Sequence, residues 1–173
     1  MSHAPRILIS RLSAIGDVIH SIPVLCALRD AFPQAFIGWV VEGRNGELLR
    51  GHRALDELIV VPRGWLKSPK EVLSLRRRLK ALNFDTAIDV QGLTKSAFTS
   101  WLSGAKRRIG FEKPAGRELS SWFNRERVAP LKTHIIDRNL ELLGPLGIHR
   151  PNVRFDLPEH APDRAAAEKI IAG

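Results

Sequence analysis

Arg6-Ile7-Leu8-Ile9-Ser10-Arg11-Leu12-Ser13-Ala14-Ile15-Gly16-Asp17-Val18-Ile19-His20 is the stretch from which the architecture of this chain can be read. Ile7, Leu8 and Ile9 form a short, unbroken apolar run, the pattern of a strand buried on both faces of a parallel sheet. Small and polar residues follow, then a lone Gly16 and Asp17. From there Val18, Ile22, Leu25 and Phe32 recur at helical intervals. A strand, a loop and a helix in that order deliver the loop to the carboxyl edge of the sheet, where open α/β folds bind ligands. Asp17 therefore stands at the mouth of an expected crevice. Read alone it is first a helix cap, a role worth roughly 0.5–2 kcal/mol, and second a catalytic carboxylate on a ligand-binding loop. Pro23 leaves two versions open: a helix beginning near Ser21, with Asp17 in the loop before it, or one beginning near Gly16 and kinked at Pro23.

The pattern of the first unit repeats along the chain. Phe36–Val41 reads as a second strand, followed by Glu42, a loop holding Gly43, Asn45 and Gly46, and a short helix from Asn45 to Arg50. Leu58–Val61 is a third strand, ended by Pro62, and Arg63–Pro69 is a basic loop with an exposed-looking Trp65. Pro69 suits the first turn of a helix from Lys70 to Leu82, with Val72, Leu75, Leu79 and Leu82 as its apolar stripe. Arg76, Arg77 and Arg78 are then a wet face, or a surface resting on anionic lipid. Asp85–Val90 is a fourth strand, Leu93–Leu102 a helix, Arg108–Phe111 a short fifth strand and Glu118–Phe123 a short helix. His134–Leu143 is helical and stopped by Gly144-Pro145. Pro151–Pro158 is extended and marks a boundary, and Asp163–Ala172 begins a last helix. Strands alternating with helices predict an α/β fold with a doubly wound, mostly parallel sheet.

Composition narrows the function. The chain has 173 residues, 44% hydrophobic and 26% charged, as expected of a globular domain with a real core. No apolar run approaches the roughly 20 residues that cross a bilayer, and the amino terminus is too short in apolar residues for a secretion signal, so the expected location is the cytoplasm. Cys26, the one cysteine, falls inside the first helical pattern as a small core residue. The net charge is +9, from 27 basic and 18 acidic residues, which favours anionic partners.

Several chemistries lack their motifs. Gly16 stands alone, so the three-glycine dinucleotide fingerprint is missing, and no phosphate loop of the nucleotide-hydrolase kind is present. The histidines at 3, 20, 52, 134, 149 and 160 are too scattered for a metal site, and no Gly-x-Ser-x-Gly elbow occurs. There is no Tyr, and the four Trp and seven Phe read mostly as core, which argues against nucleic acid as a partner. What remains is a series of cations on successive strand-to-helix connections: Arg63, Lys67, Lys95, Arg117, and His134 with Arg138 four residues on. Such connections gather on one sheet edge, and cations around one carboxylate suit a phosphorylated or carboxylated substrate.

Three separated segments carry a family resemblance. Ser13-Ala14-Ile15-Gly16-Asp17-Val18-Ile19-His20-Ser21-Ile22-Pro23, Trp39-Val40-Val41-Glu42 and Asp89-Val90-Gln91-Gly92-Leu93-Thr94-Lys95-Ser96-Ala97 resemble the lipopolysaccharide heptosyltransferases, most closely those that add the first heptose. The resemblance implies a Rossmann-like domain, the amino-terminal half of a GT-B glycosyltransferase, over residues 1–150, with 151–173 beginning the interdomain linker. It implies Asp17 as general base on a hydroxyl of a Kdo–lipid A acceptor, with inversion at the heptose. Lys95, Arg117, His134 and Arg138 would hold acceptor phosphates, Arg63 and Lys67 would form a mobile basic loop, and Ser13 and Gly16 would shape the catalytic loop. It implies ADP-heptose as donor substrate, no other cofactor, no metal, and a peripheral place on the inner face of the inner membrane. The motifs quoted fill only the first half of such an enzyme, so the expectation is either a fragment of a longer protein, its donor domain outside this chain, or a protein without a donor site of its own, and in both cases a chain inactive alone. Two other readings remain: a related transferase acting on another acceptor, such as one adding the second heptose, and a non-catalytic module binding anionic lipid or nucleic acid.

Overall fold

The computed structural model describes residues 4–158, and the expected helix at 163–172 lies outside them. Six strands form one sheet: β1 (Arg6–Ser10), β2 (Phe36–Glu42), β3 (Glu57–Val61), β4 (Thr86–Asp89), β5 (Arg107–Phe111) and β6 (Glu126–Val128). Their spatial order is β3-β2-β1-β4-β5-β6, and every neighbouring pair is parallel. The fold is thus a Rossmann-like α/β sheet, parallel throughout.

Alternation along the strands builds two cores. Ile7 and Ile9 of β1, Ile37, Trp39 and Val41 of β2, and Ile88 of β4 point to one face. Leu8, Val40 and Ala87 point to the other. This period of two, with both faces apolar, explains the unbroken hydrophobic runs. The first face is covered by α2 (Ile22–Ala31) and α6 (Ile135–Glu141). The second face is covered by α3 (Pro69–Ala81) and α4 (Thr94–Leu102), with α5 (Ser120–Phe123) beside α4. Cys26 is buried in the first core, which pushes its thiol up to about 11.

The first unit resolves the two versions left by Pro23. A five-residue helix α1 (Ile15–Ile19) contains Asp17, the chain turns at His20 and Ser21, and α2 begins anew with Pro23 in its first turn. Gly16 is therefore helical rather than part of a loop, and a Cβ there would meet nothing within 4 Å. Two further expectations, both about tryptophans, are corrected. Trp65 is fully buried, stacked on Phe98 at 6.3 Å, because the turn at Trp65–Lys67 folds back onto the second core. Trp101 and Trp122 are exposed rather than core. Strand β6 follows a connection that the sequence left unassigned.

Candidate functional site

In a sheet ordered in this way, chain progression reverses between β1 and β4, so a crevice opens at the carboxyl ends of those two strands. The chain leaving β1 is clamped there. Leu12 N donates to Gln91 Oε1 (3.0 Å), Glu42 N donates to Leu12 O (2.9 Å), and Trp39 Nε1 donates to Arg11 O (3.1 Å). The result is a cleft of about 340 Å³ lined by Arg11, Asp17, Gln91, Phe111, Arg117 and Arg138 among others. That volume is in the range of small-ligand sites.

Asp17 makes a capping contact and yet stays open to the cleft. Its Oδ2 accepts a long 3.4 Å bond from Ala14 N, as a capping carboxylate does, and pairs with Arg11 Nη2 at 2.7 Å. Its side chain is still 47% exposed, and among the described residues no donor reaches Oδ1. Arg11 is buried; its Nη1 donates to Val90 O at 3.0 Å, and its Nε has no partner among the described residues. Burial pulls the Arg11 guanidinium below the usual arginine range, and the charges of Asp17 and Asp89 oppose that shift.

Two more cations close the cleft. Arg117 follows β5, and its N–H donates to Gly92 O at 2.8 Å, fixing the β5 loop against the β4 loop. Gly92 adopts φ +69°, and a Cβ there would press on Ala115 O at 3.0 Å. Arg138 comes from α6, its guanidinium carbon 5.8 Å from the Phe111 ring centre and its Nε buried without a partner. Neighbouring Asn139 donates to His20 O (3.2 Å) and Ser21 Oγ (3.4 Å), which ties α6 to the α1–α2 junction and sets Arg138 near Asp17. Beneath the cleft the fully buried Asp89 accepts from Gln91 N, Gly92 N and Asn124 Nδ2. Desolvation lifts its carboxyl above the ordinary carboxylate range, against the hydrogen bonds from Ser96, Asn124, Gly92 and Gln91.

The structure thus brings Asp17, Arg117 and Arg138 together, while the remaining sequence-predicted residues stand elsewhere. Lys95, at the start of α4, is turned to Glu42 and forms an ion pair with its Oε2. Glu42 Oε1 in turn accepts from Gly64 N at 3.1 Å, in the connection that carries Arg63 and Lys67. Arg63, Lys67 and His134 are exposed and do not line the cleft. Ser13 is half-buried between β1 and α1. Arg11 is the residue that sequence reasoning missed. Its signal was a lone charge set between Ser10 and Leu12 at the end of a buried strand. A larger groove of about 430 Å³, between Lys132, Asp137, Glu141 and Arg150, contains none of the predicted site residues. Among the described residues, no three His, Cys, Asp or Glu side chains converge as metal ligands would.

A Rossmann-like sheet with a carboxylate and three arginines gathered at its switch point defines an α/β domain with a charged cleft at its carboxyl edge. Comparison with known proteins gives the family: residues 72–172 match the model of glycosyltransferase family 9 (heptosyltransferase), and the chain belongs to that family. It is 31% identical over 161 residues to lipopolysaccharide heptosyltransferase 1 of Escherichia coli, spanning 87% of this chain and 50% of the relative. It is 32% identical over 177 residues to the corresponding Pseudomonas aeruginosa protein, spanning 96% of this chain and 48% of the relative. The solved Escherichia coli heptosyltransferase WaaC with ADP-2-deoxy-2-fluoro heptose superposes with a TM-score of 0.70 at 30% identity, over 86% of this chain and 50% of that one. The chain spans about half the length of the curated relatives it matches.

Proposed function

We propose that this chain is the acceptor-binding half of an inverting heptosyltransferase, which transfers heptose from ADP-heptose to a Kdo sugar of the lipid A inner core. The observation that carries the reading is the meeting of half-exposed Asp17 with Arg11, Arg117 and Arg138 in one cleft. The donor class is supported by the solved family member bound to ADP-2-deoxy-2-fluoro heptose, and the acceptor class by curated relatives that are lipopolysaccharide heptosyltransferases.

Arg11 holds Oδ2 of Asp17 and leaves Oδ1 to accept a hydrogen bond from the acceptor hydroxyl. As the hydroxyl oxygen attacks the anomeric carbon, its proton passes to Asp17. The bond from that carbon to the diphosphate oxygen breaks, and its electron pair departs with ADP. Attack from the face opposite the leaving group inverts the configuration, and the displacement balances without a further cofactor. Arg117 and Arg138 contribute by gripping anionic groups of the acceptor, which turns the encounter into a positioned, effectively unimolecular step. A lipid acceptor and a sugar-nucleotide donor, as proposed, suit an enzyme working at the cytoplasmic face of the inner membrane. No helix among the described residues is long and apolar enough to cross it.

The test is kinetic, in a protein of full family length. Asp17→Asn should lower kcat by about 10²–10⁴-fold, the usual contribution of a general base, while the acceptor Kd stays within about threefold. An unchanged kcat would remove Asp17 from that role.

A further inference from the structure

Beyond the cleft wall at Arg117, the chain displays apolar side chains that no element among the described residues covers. Leu119 is 50% exposed and Trp122 81% exposed, and Trp101 of α4 is 44% exposed. Trp101 belongs to an aromatic cluster: Phe98 stacks on it at 5.5 Å, and Phe123, next to Trp122 in α5, meets Phe98 and Trp101 edge-on at 5.6 and 6.2 Å. This surface is firmly held. Leu119 N donates to Thr94 Oγ1 (3.1 Å), Arg108 Nε donates to Phe123 O (2.7 Å), and Asn124 Nδ2 donates to Asp89 Oδ2 (2.9 Å). A short helix pinned at both ends, with its largest side chain in solvent, presents that side chain to something.

We infer that the α4–α5 aromatic face seats the protein on an anionic phospholipid surface, with Trp122 and Leu119 entering the headgroup region. Charge supports this occupant. Arg117 and Arg125 flank the segment, Arg63 and Lys67 flank exposed Leu66 beside the buried end of the aromatic stack, and among the described residues none of the four cations has an ion-pair partner. Tryptophan and leucine flanked by arginine and lysine outnumbering the one intervening carboxylate, Glu118, which accepts from Thr94 N at 3.1 Å, is the chemistry of an interfacial anchor on anionic lipid. The last described segment packs elsewhere: Phe155 lies against the core on the opposite sheet face, and its carbonyl meets His52 Nε2 at 2.9 Å. Arg117 both lines the cleft and adjoins this segment, so the inference deepens, and in that part rests on, the lipid-acceptor reading above.

Vesicles of plain phospholipid contain no sugar acceptor, so they test the surface independently of the acceptor assignment. The chain should co-sediment with phosphatidylcholine vesicles containing phosphatidylglycerol and bind pure phosphatidylcholine far more weakly. Leu119→Ser combined with Trp122→Ser should lower the partition coefficient by about tenfold or more, since both leave the acyl boundary. Val153→Ser, an equally exposed apolar position in the 151–158 segment, should leave it unchanged. Circular dichroism and Tm matching the parent confirm that the double variant is folded. Failure of the parent to bind anionic vesicles, or parent-like binding by the folded double variant, would overturn the inference. So would a parent dimer that the double variant dissociates without any loss of vesicle binding.

Discussion

Asp17 is held on one oxygen and open on the other, and the fold sets this division of a single carboxylate. Its partner Arg11 is anchored through Val90 O, so the pair moves with β1 and β4 rather than with solvent. Below it, Asp89 makes a separable prediction. Burial raises its folded carboxyl above the ordinary value, so its stabilising contribution is complete below that value and is lost as pH rises through the folded one. Urea denaturation of the parent and of Asp89→Asn should therefore show the parent losing ground to the variant as pH climbs from about 4 towards neutrality. A stability difference constant over that interval would contradict the sign. Asp17 and Arg117 were legible in the sequence because each comes soon after a strand's carboxyl end, and Arg138 because it shares a predicted helix with His134 four residues before it. The engagement of Lys95 by Glu42 was not. The two are 53 residues apart, and they meet only because β2 and β4 lie on either side of β1.

The elements themselves were legible where periodicity was strong and obscure where a neighbour decided the outcome. The runs at 7–9, 36–41 and 58–61 became β1, β2 and β3 with small changes at their ends. Strand β6, Glu126–Val128, is three residues long with two charges, and only its pairing to Ile109–Phe111 of β5 makes it a strand. Trp65 sits in a basic connection, and its burial depends on Phe98, which no local pattern shows. The loop after β5 has a steric requirement of the same non-local kind. A Cβ on Gly116 would lie 2.1 Å from Phe111 O, a backbone atom that cannot yield cheaply. Gly116→Ala should destabilise the chain by about 2–4 kcal/mol in urea denaturation and displace Arg117 from the cleft. Stability within about 0.5 kcal/mol of the parent would show that this loop is free to move.

For the molecule as a whole, the excess of positive charge acquires an address. Several arginines are consumed in structural pairs: Arg29 with Asp56, Arg78 with Glu57, Arg107 with Glu126 and Arg154 with Asp30. Arg117 and Arg138 stay without an ion-pair partner among the described residues, and they face the same space as Asp17. The direct test is calorimetric titration of a deacylated, phosphorylated Kdo–lipid A head into the chain and its variants. Arg117→Ala and Arg138→Ala should each weaken binding by about 10–100-fold, the loss of about 1.5–3 kcal/mol expected for hydrogen bonds to a charged group. His134→Ala, outside the cleft, should stay within about twofold of the parent. Equal affinity of the folded arginine variants and the parent, or no binding by the parent, would contradict the assignment of this cleft to the acceptor.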